Sequence, residues 1–369
     1  MKIYNSTMWA IFARGRHIHI SNNYVEGCVM RNENCKSTNG WEQCLATNAI
    51  SAYGPIMSEN VTFENNEVYH SWGEGMDLIL CSNCIARGNY FHDIFPIMFY
   101  SDNGRNLLIE NNIFRQSNGS LKGCGSVSYH AISFGNEKWP KDPVATVNMT
   151  VKNNFIWGTY NGVSYFGGSD IAHYSDINVI FNTFWKLKGC ALQFLEEPVL
   201  KGNTNNCVFK NNFVYSPNDY FSAAVNENYT KFWNVSANVY YGVNRIQLKD
   251  TWNGTDGKAH SIRFNLTESG PLEFFGGGAY GNCSNESYWN VDVQTYCFIP
   301  NNKSVLYHMG VDAGYKEMEG KIEKDYFGCA RNRVRPSIGY SEGDFICISK
   351  SATLGSTIIL LFSVIIGII

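Results

Sequence analysis

The chain has 369 residues, a formal net charge of −3 and only 17% charged residues. So balanced a surface implies neither a nucleic acid nor an acidic partner. Aromatics reach 15% while Asn and Gly are abundant, which excludes a mostly helical protein and favours many short strands joined by tight turns.

The N-terminal stretch MKIYNSTMWAIFARGRHIHI has no basic region, apolar block and small-residue cleavage site in sequence, so no signal peptide is legible. From there a unit recurs: IHISNNYVE, VTFENNEVY, CIARGNYFH, LLIENNIFR, MTVKNNFIW, NVIFNTFWK, CVFKNNFVY and WNVSANVYY. The anchor asparagines are Asn23, Asn66, Asn89, Asn112, Asn154, Asn182, Asn212 and Asn238, at intervals of 43, 23, 23, 42, 28, 30 and 26. A period in the low twenties is that of a solenoid. The two long intervals are nearly doubled, so each is expected to hide one weakly marked turn.

Apolar residues alternate before each anchor, as in Val61 and Phe63 or Leu107 and Ile109, which is strand periodicity. Two residues after it another apolar side chain is expected to point inward: Val68, Phe91, Phe114, Ile156, Phe184 and Val214. A second strand follows in GMDLIL, PIMFYS, HAISFG, GVSYFG and CALQFL. No unit leaves room for a long helix, so the spacing predicts an all-β parallel β-helix. Asn is expected to take the left-handed conformation of a coil corner and to hydrogen-bond its equivalents in a ladder. The expected organisation is coils over residues 1–245, irregular last coils and a cap over 246–348, and a hydrophobic tail over 349–369.

The motifs NVTFENNEVYHSWGEGMDLI and NLLIENNIFRQS, with GVDAG and KDYFGCARNRVRPSIGYSEG near the end, resemble right-handed parallel β-helix repeat proteins of the pectin-lyase-like fold. Asp325, Gly328, Arg331, Ile338, Gly339 and Glu342 match the usual closing segment, with Tyr340 where Ala is customary. The resemblance implies the fold; its members include lyases, hydrolases, epimerases and proteins without assigned activity.

Equivalent positions of a β-helix stack about 4.8 Å apart. The residues three after each anchor read Glu26, Tyr69, His92, Arg115, Trp157, Trp185, Tyr215 and Tyr241. Such an outward stripe suits a long sugar chain, by ring stacking and by Arg–carboxylate pairing; it is equally compatible with an aromatic ladder packed under a loop. The titratable residues near its centre are His70, Glu74, Asp77, His92, Asp93, Tyr100, Asp102, Arg105, Arg115, His130 and His173. For β-elimination, Arg115 or Ca²⁺ held by acidic residues would neutralise a uronate, and His92 or Tyr100 would take the proton. For glycoside hydrolysis the carboxylates are Glu74, Asp77 and Asp93. No firm cofactor or metal site is implied.

Twelve cysteines with only one C-x-x-C, Cys81 to Cys84, favour disulfides over zinc. Sequons begin at Asn5, Asn60, Asn118, Asn148, Asn228, Asn234, Asn253, Asn265, Asn282, Asn285 and Asn302, consistent with secretion. The final run, Ile358 to Ile369, is short for a bilayer span; with Ser349 and Ser351 upstream it fits a GPI-attachment signal or a tail-anchoring helix. A GPI signal demands secretory entry, so residues upstream of Met1 are expected. The function expected is that of a glycoprotein on the extracellular face of the plasma membrane that binds an extended polysaccharide. A lyase or hydrolase of uronate-containing polymers, or an adhesive protein without a sugar ligand, are the alternatives.

Overall fold

A computed structural model describes residues 1–36, 42–50, 56–117, 129–138, 144–168, 170, 172–195, 204–216, 223–242, 261–264, 324–327, 329–331, 339 and 341. The chain winds through three sheets in turn, and every pairing between their strands is parallel. Sheet A, of 10 strands, runs from Lys2–Tyr4 through Tyr24–Cys28, Glu67–Ser71, Tyr90–Ile94, Ile113–Arg115, Phe155–Trp157, Thr183–Trp185, Phe213–Tyr215 and Val239–Tyr241 to Ile262–Phe264. Sheet B, of 8 strands, holds Ile11–Ala13, Gln43–Thr47, Glu74–Asp77, Ile97–Asp102, His130–Asn136, Asn161–Gly167, Leu192–Phe194 and Ala223–Val225. Sheet C begins at His19–Ser21 and includes Thr62–Glu64, Ile85–Arg87, Arg105–Glu110, Thr146–Lys152, Tyr174–Ile180, Cys207–Lys210 and Trp233–Ser236. Each coil visits A, B and C in that order, which is the parallel β-helix predicted from the spacing.

The two long intervals hide no turn. Asn23 Nδ2 donates directly to Asn66 Oδ1, and Asn112 Nδ2 to Asn154 Oδ1, at 2.9 and 3.1 Å. Ile20 likewise pairs with Phe63, and Ile109 with Val151. The additional residues therefore lengthen single coils between strands, a route that loop entropy tolerates because its cost grows slowly with length. Conversely, the coil following Asn238 carries no anchor asparagine: Ser261 Oγ accepts the Asn238 backbone N–H at 2.8 Å, and Ile262–Phe264 pairs with Val239–Tyr241.

The inward residues Val68, Phe91, Phe114, Ile156, Phe184 and Val214 are all buried; Phe91 stacks on Phe114 with ring centroids 5.3 Å apart. The asparagine ladder is continuous from Asn23 to Asn238, with amide-to-amide distances of 2.9–3.2 Å. Each Oδ1 also accepts the backbone N–H of the preceding rung, and from Asn66 onward the second Nδ2 proton goes to a sheet C carbonyl. The amides are thus satisfied inside the wall, where an orphaned group would be costly.

The left-handed conformation lies elsewhere than expected. It is taken by the residue before each anchor: Asn22, Asn65, Gly88, Asn111, Asn153, Phe181, Asn211 and Ala237, with φ between 53° and 63°. Two demands fall on neighbouring positions: the first needs a residue that tolerates positive φ, the second a side-chain amide. A further left-handed column, on exposed asparagines and their equivalents, marks the entry to sheet C: His17, Asn60, Asn83, Asn106, Asn148, Asp176 and Asn206. On the outer face of sheet C, Glu64, Arg87, Glu110 and Lys152 lie in register. Glu110 bridges Arg87 and Lys152 at 3.5 and 3.4 Å, so alternating sign supports the strand pairing.

Disulfides join Cys28 to Cys44 and Cys81 to Cys84, while Cys190 and Cys207 are free and buried in the core wall. Cys35 and Cys329 are also disulfide-bonded. The closing segment returns to the flank of the coils. Arg331 Nη2 donates to Asn153 Oδ1 and Gly339 O at 2.8 and 2.9 Å, and its guanidinium lies 4.0 Å from the Phe181 ring centroid. Gly339 N donates to Asn211 O at 2.8 Å. Asp325, fully buried, accepts the Cys329 N–H at 2.8 Å. Of the residues carrying the resemblance here, Gly328, Ile338, Tyr340 and Glu342 lie outside the described residues. So do the hydrophobic tail and Asn118, Asn253, Asn282, Asn285 and Asn302; of Asn265 the same holds. Among the described residues no helix is long and apolar enough to cross a membrane.

Candidate functional site

The predicted stripe is in register. Glu26 pairs with Tyr69, Tyr69 with His92, His92 with Arg115, then Trp157, Trp185, Tyr215 and Tyr241 follow strand by strand on sheet A. Its two halves differ in access. Tyr69, His92 and Arg115 are half-buried, and His92 stacks between Tyr69 and Tyr90 at 4.4 and 4.2 Å. Trp157, Trp185 and Tyr241 keep only 7%, 4% and 0% of their surface. Alternation placed these side chains outside the core wall; in the later half only Tyr215 is half-buried, so Trp157, Trp185 and Tyr241 offer little ring surface to a sugar.

His70 and Asp93 occupy left-handed positions at the turn from sheet A to sheet B, with φ of 56° and 53°. The Asp93 carboxylate accepts the Ser117 backbone N–H at 2.8 Å and its hydroxyl at 3.2 Å. Although burial opposes ionisation, His92 and Ser117 outweigh it and hold the Asp93 pKa down to about 2. A carboxylate so engaged fastens a corner. His92 Nε2 lies 3.1 Å from Glu67. Arg105 opens a sheet C strand and His173 precedes another, so neither joins the sheet A group.

Glu74, Asp77 and Tyr100 face away from that group, on sheet B. Asp77 pairs with Tyr100, Tyr100 with Ser133, Ser133 with Ser164 and Ser164 with Gln193, forming an outward column. Beneath it Met76, Phe99, Ile132, Val163 and Leu192 fill the core. The column floors a groove of ≈ 640 Å³ that Glu74, Asp102, His130, Glu137, Tyr165 and Phe166 also border. Of the catalytic candidates, the structure unites Glu74, Asp77 and Tyr100 and leaves His92, Asp93 and Arg115 on another face. For β-elimination, Arg115 and His92 lie side by side on adjacent strands while Tyr100 is on another face; for hydrolysis, Asp93 is separated from Glu74 and Asp77.

Chemistry at the acidic end follows from burial. Glu74 and Asp77 are almost fully buried and hydrogen-bonded to each other, and Gln43 donates to Glu74. Desolvation first, then the charges of Asp77 and Asp102, push the Glu74 carboxyl well above the usual range; burial and Asp102 do the same for Asp77. Asp102 Oδ1 accepts from Asn103 Nδ2 at 2.5 Å. Burial, with Asp102 and Glu137 next, raises the Tyr100 phenol well above its normal value, and its hydroxyl donates to Glu137 Oε1 at 2.8 Å. Burial lowers His130 to about 4, so its imidazole is neutral; Nδ1 lies 2.8 Å from Ser164 Oγ.

For calcium held by acidic residues, no three His, Cys, Asp or Glu groups among the described residues converge to hold a metal ion. Sequence reasoning missed Gln43, Ser133, Glu137, Ser164, Tyr165, Phe166 and Gln193. A signal existed: the third letters of GMDL, MFYS, AISF, GVSY and ALQF spell the column Asp77, Tyr100, Ser133, Ser164 and Gln193.

Comparison with known proteins agrees with the fold. A family model described as "Right handed beta helix region" matches residues 1–138. No curated protein matches the chain. Among solved structures, one described as the crystal structure of pectate lyase Pel9A is similar over 92% of this chain and 87% of that one. Its identity is 14% and its TM-score 0.42. The fold is an all-β, right-handed parallel β-helix.

Proposed function

We propose that the chain binds a polysaccharide along the sheet B groove and cleaves glycosidic bonds there by acid–base hydrolysis. The observation that carries this reading is the buried, mutually hydrogen-bonded Glu74–Asp77 pair at the edge of an open groove, both of its carboxyls pushed well above their usual range by burial. A carboxyl group whose pKa burial raises is suited to be the general acid that a leaving sugar oxygen needs. A second carboxylate must then activate water, and Asp102, polarised by Asn103, is the group for that role. The fold supports the reading, since its coils present a straight trough matched to an extended polymer.

The test is to incubate the protein with a polysaccharide panel and follow reducing ends together with the ultraviolet absorbance of unsaturated products. Reducing ends without that absorbance are expected, and Asp77→Asn should lower their release by about 10²-fold or more. Unsaturated products would establish elimination instead, and binding without any product would leave recognition alone. The reading includes a GPI-tethered glycoprotein at the cell surface; release by a phosphatidylinositol-specific phospholipase checks the anchor.

A further inference from the structure

The end of the sheet B groove away from Glu74 is polarised by one buried amide. Asn161, 1% exposed, opens the strand Asn161–Gly167 in register with His130. The Cys190 backbone N–H lies 3.1 Å from the Asn161 side chain and can only donate, so the atom it meets is Oδ1. The two Nδ2 protons of Asn161 therefore point the other way, to Gln193 Oε1 at 2.6 Å and His130 Nδ1 at 3.4 Å.

The orientation of each neighbour follows. Gln193 must turn Oε1 to Asn161, which leaves both Nε2 protons for the groove that Gln193 borders. His130 Nδ1 faces the Asn161 amide protons and also lies 2.8 Å from Ser164 Oγ, whose one proton takes this contact over Ile132 O at 3.3 Å. Nδ1 is therefore bare, and the neutral imidazole carries its proton on Nε2. Both residues border the groove beside Ser133, Ser164 and Phe166, which is 44% exposed. Uncharged N–H donors match the lone pairs of hydroxyl and carbonyl oxygens, but they offset less of the desolvation of a carboxylate, which gains most from charged partners. The exposed aromatic face can stack on a sugar ring.

We propose that Asn161 is the positioning residue of a sugar subsite at this end, where His130 Nε2–H and the Gln193 Nε2 protons hold acceptor oxygens of a neutral sugar unit whose ring stacks on Phe166. The inference rests on the reading of sheet B as a glycan groove and adds the polarity of one subsite and the residues that set it. It is tested by titration calorimetry of the full chain with cellohexaose, hexa-N-acetylchitohexaose and hexagalacturonate, together with ¹⁵N NMR of labelled histidine in the same protein.

The better neutral oligomer is expected to bind at least about tenfold more tightly than hexagalacturonate, and His130 is expected as the Nε2–H tautomer. Gln193→Glu exchanges groove-facing donors for acceptors on a half-buried side chain and should weaken that oligomer by about tenfold or more. Asn161→Asp removes the donors that hold both neighbours, so Gln193 turns Oε1 to the groove and His130 gains a proton on Nδ1. The histidine signature and the affinity should change together, which a merely structural Asn161 would not produce. A wild-type His130 protonated on Nδ1 overturns the polarity assignment whether or not a glycan binds. Unchanged affinity in Gln193→Glu, or tightest binding of hexagalacturonate, overturns the subsite while leaving a glycan groove. If no oligomer binds, the groove reading falls and the subsite with it.

Discussion

Asn112 shows how much one side chain carries in this wall. Its Oδ1 accepts from Asn89 N and Nδ2 at 2.9 and 3.0 Å, while its Nδ2 donates to Ala86 O and Asn154 Oδ1 at 2.9 and 3.1 Å. Truncation to Ala strands several buried groups at once, so Asn112→Ala should cost about 3 kcal/mol or more. Asn23, half-buried at the first rung, should lose less; denaturant titration of both variants checks the contrast. Ala237 makes the converse case, with φ of 54° and no side chain to compensate. Ala237→Gly should raise stability by about 1 kcal/mol, the usual scale of the left-handed penalty, and an unchanged denaturation midpoint would contradict the strain. The sequence made the asparagines conspicuous. It did not separate the corner residue from the ladder residue, because Asn-Asn pairs satisfy both demands and conceal which one each position makes; Phe181–Asn182 and Ala237–Asn238, where only the second is Asn, hold the distinction.

The strand Glu74–Asp77 holds two buried carboxyls whose pKa values burial pushes well up. Their folded pKa values are raised above the unfolded ones, so their stabilising contribution is complete below the unfolded range near pH 4 and declines as pH climbs toward the raised values. Thermal stability should therefore fall between about pH 4 and neutrality. Asp77→Asn and Glu74→Gln should flatten that fall and gain on the order of 1 kcal/mol at pH 7, even as they abolish cleavage. Calorimetric scans across pH read this directly, and a variant that retained the wild-type slope would contradict it. At this scale the sequence was only half informative. Glu74, Asp77 and Tyr100 were identified as titratable candidates near the stripe, but strand alternation says which side a residue takes within one strand, not which of three sheets shares a face. Asp93 and Glu74 are 19 residues apart and look like neighbours in the text, yet a coil corner divides them.

Across the whole molecule, the closing segment grips three successive coils through Asn153, Phe181 and Asn211. Arg331 is 4% exposed and its Nη2 donates to both Asn153 and Gly339. Arg331→Ala leaves two buried acceptors unpaired, which should lower stability by about 2 kcal/mol or more and speed limited proteolysis near residue 324 well before the coils are cut. Simultaneous loss of both would show that the segment does not act as a clasp. The resemblance of KDYFGCARNRVRPSIGYSEG to family closing segments marks these residues, but their docking partners, 128 to 178 positions earlier, carry no mark in the local sequence.

Because every circuit of the chain adds one strand to each wall, the trough on sheet B has no continuous length to tune. Inserting or removing one full circuit between ladder asparagines shifts its reach by a single strand spacing, about 4.8 Å, and leaves the pairing above and below undisturbed. Lengthening a connection, as between Asn23 and Asn66, alters the rim alone. Variation in this architecture therefore separates into two independent dials, one stepped and one graded: the number of ligand units spanned, and the walls that meet them.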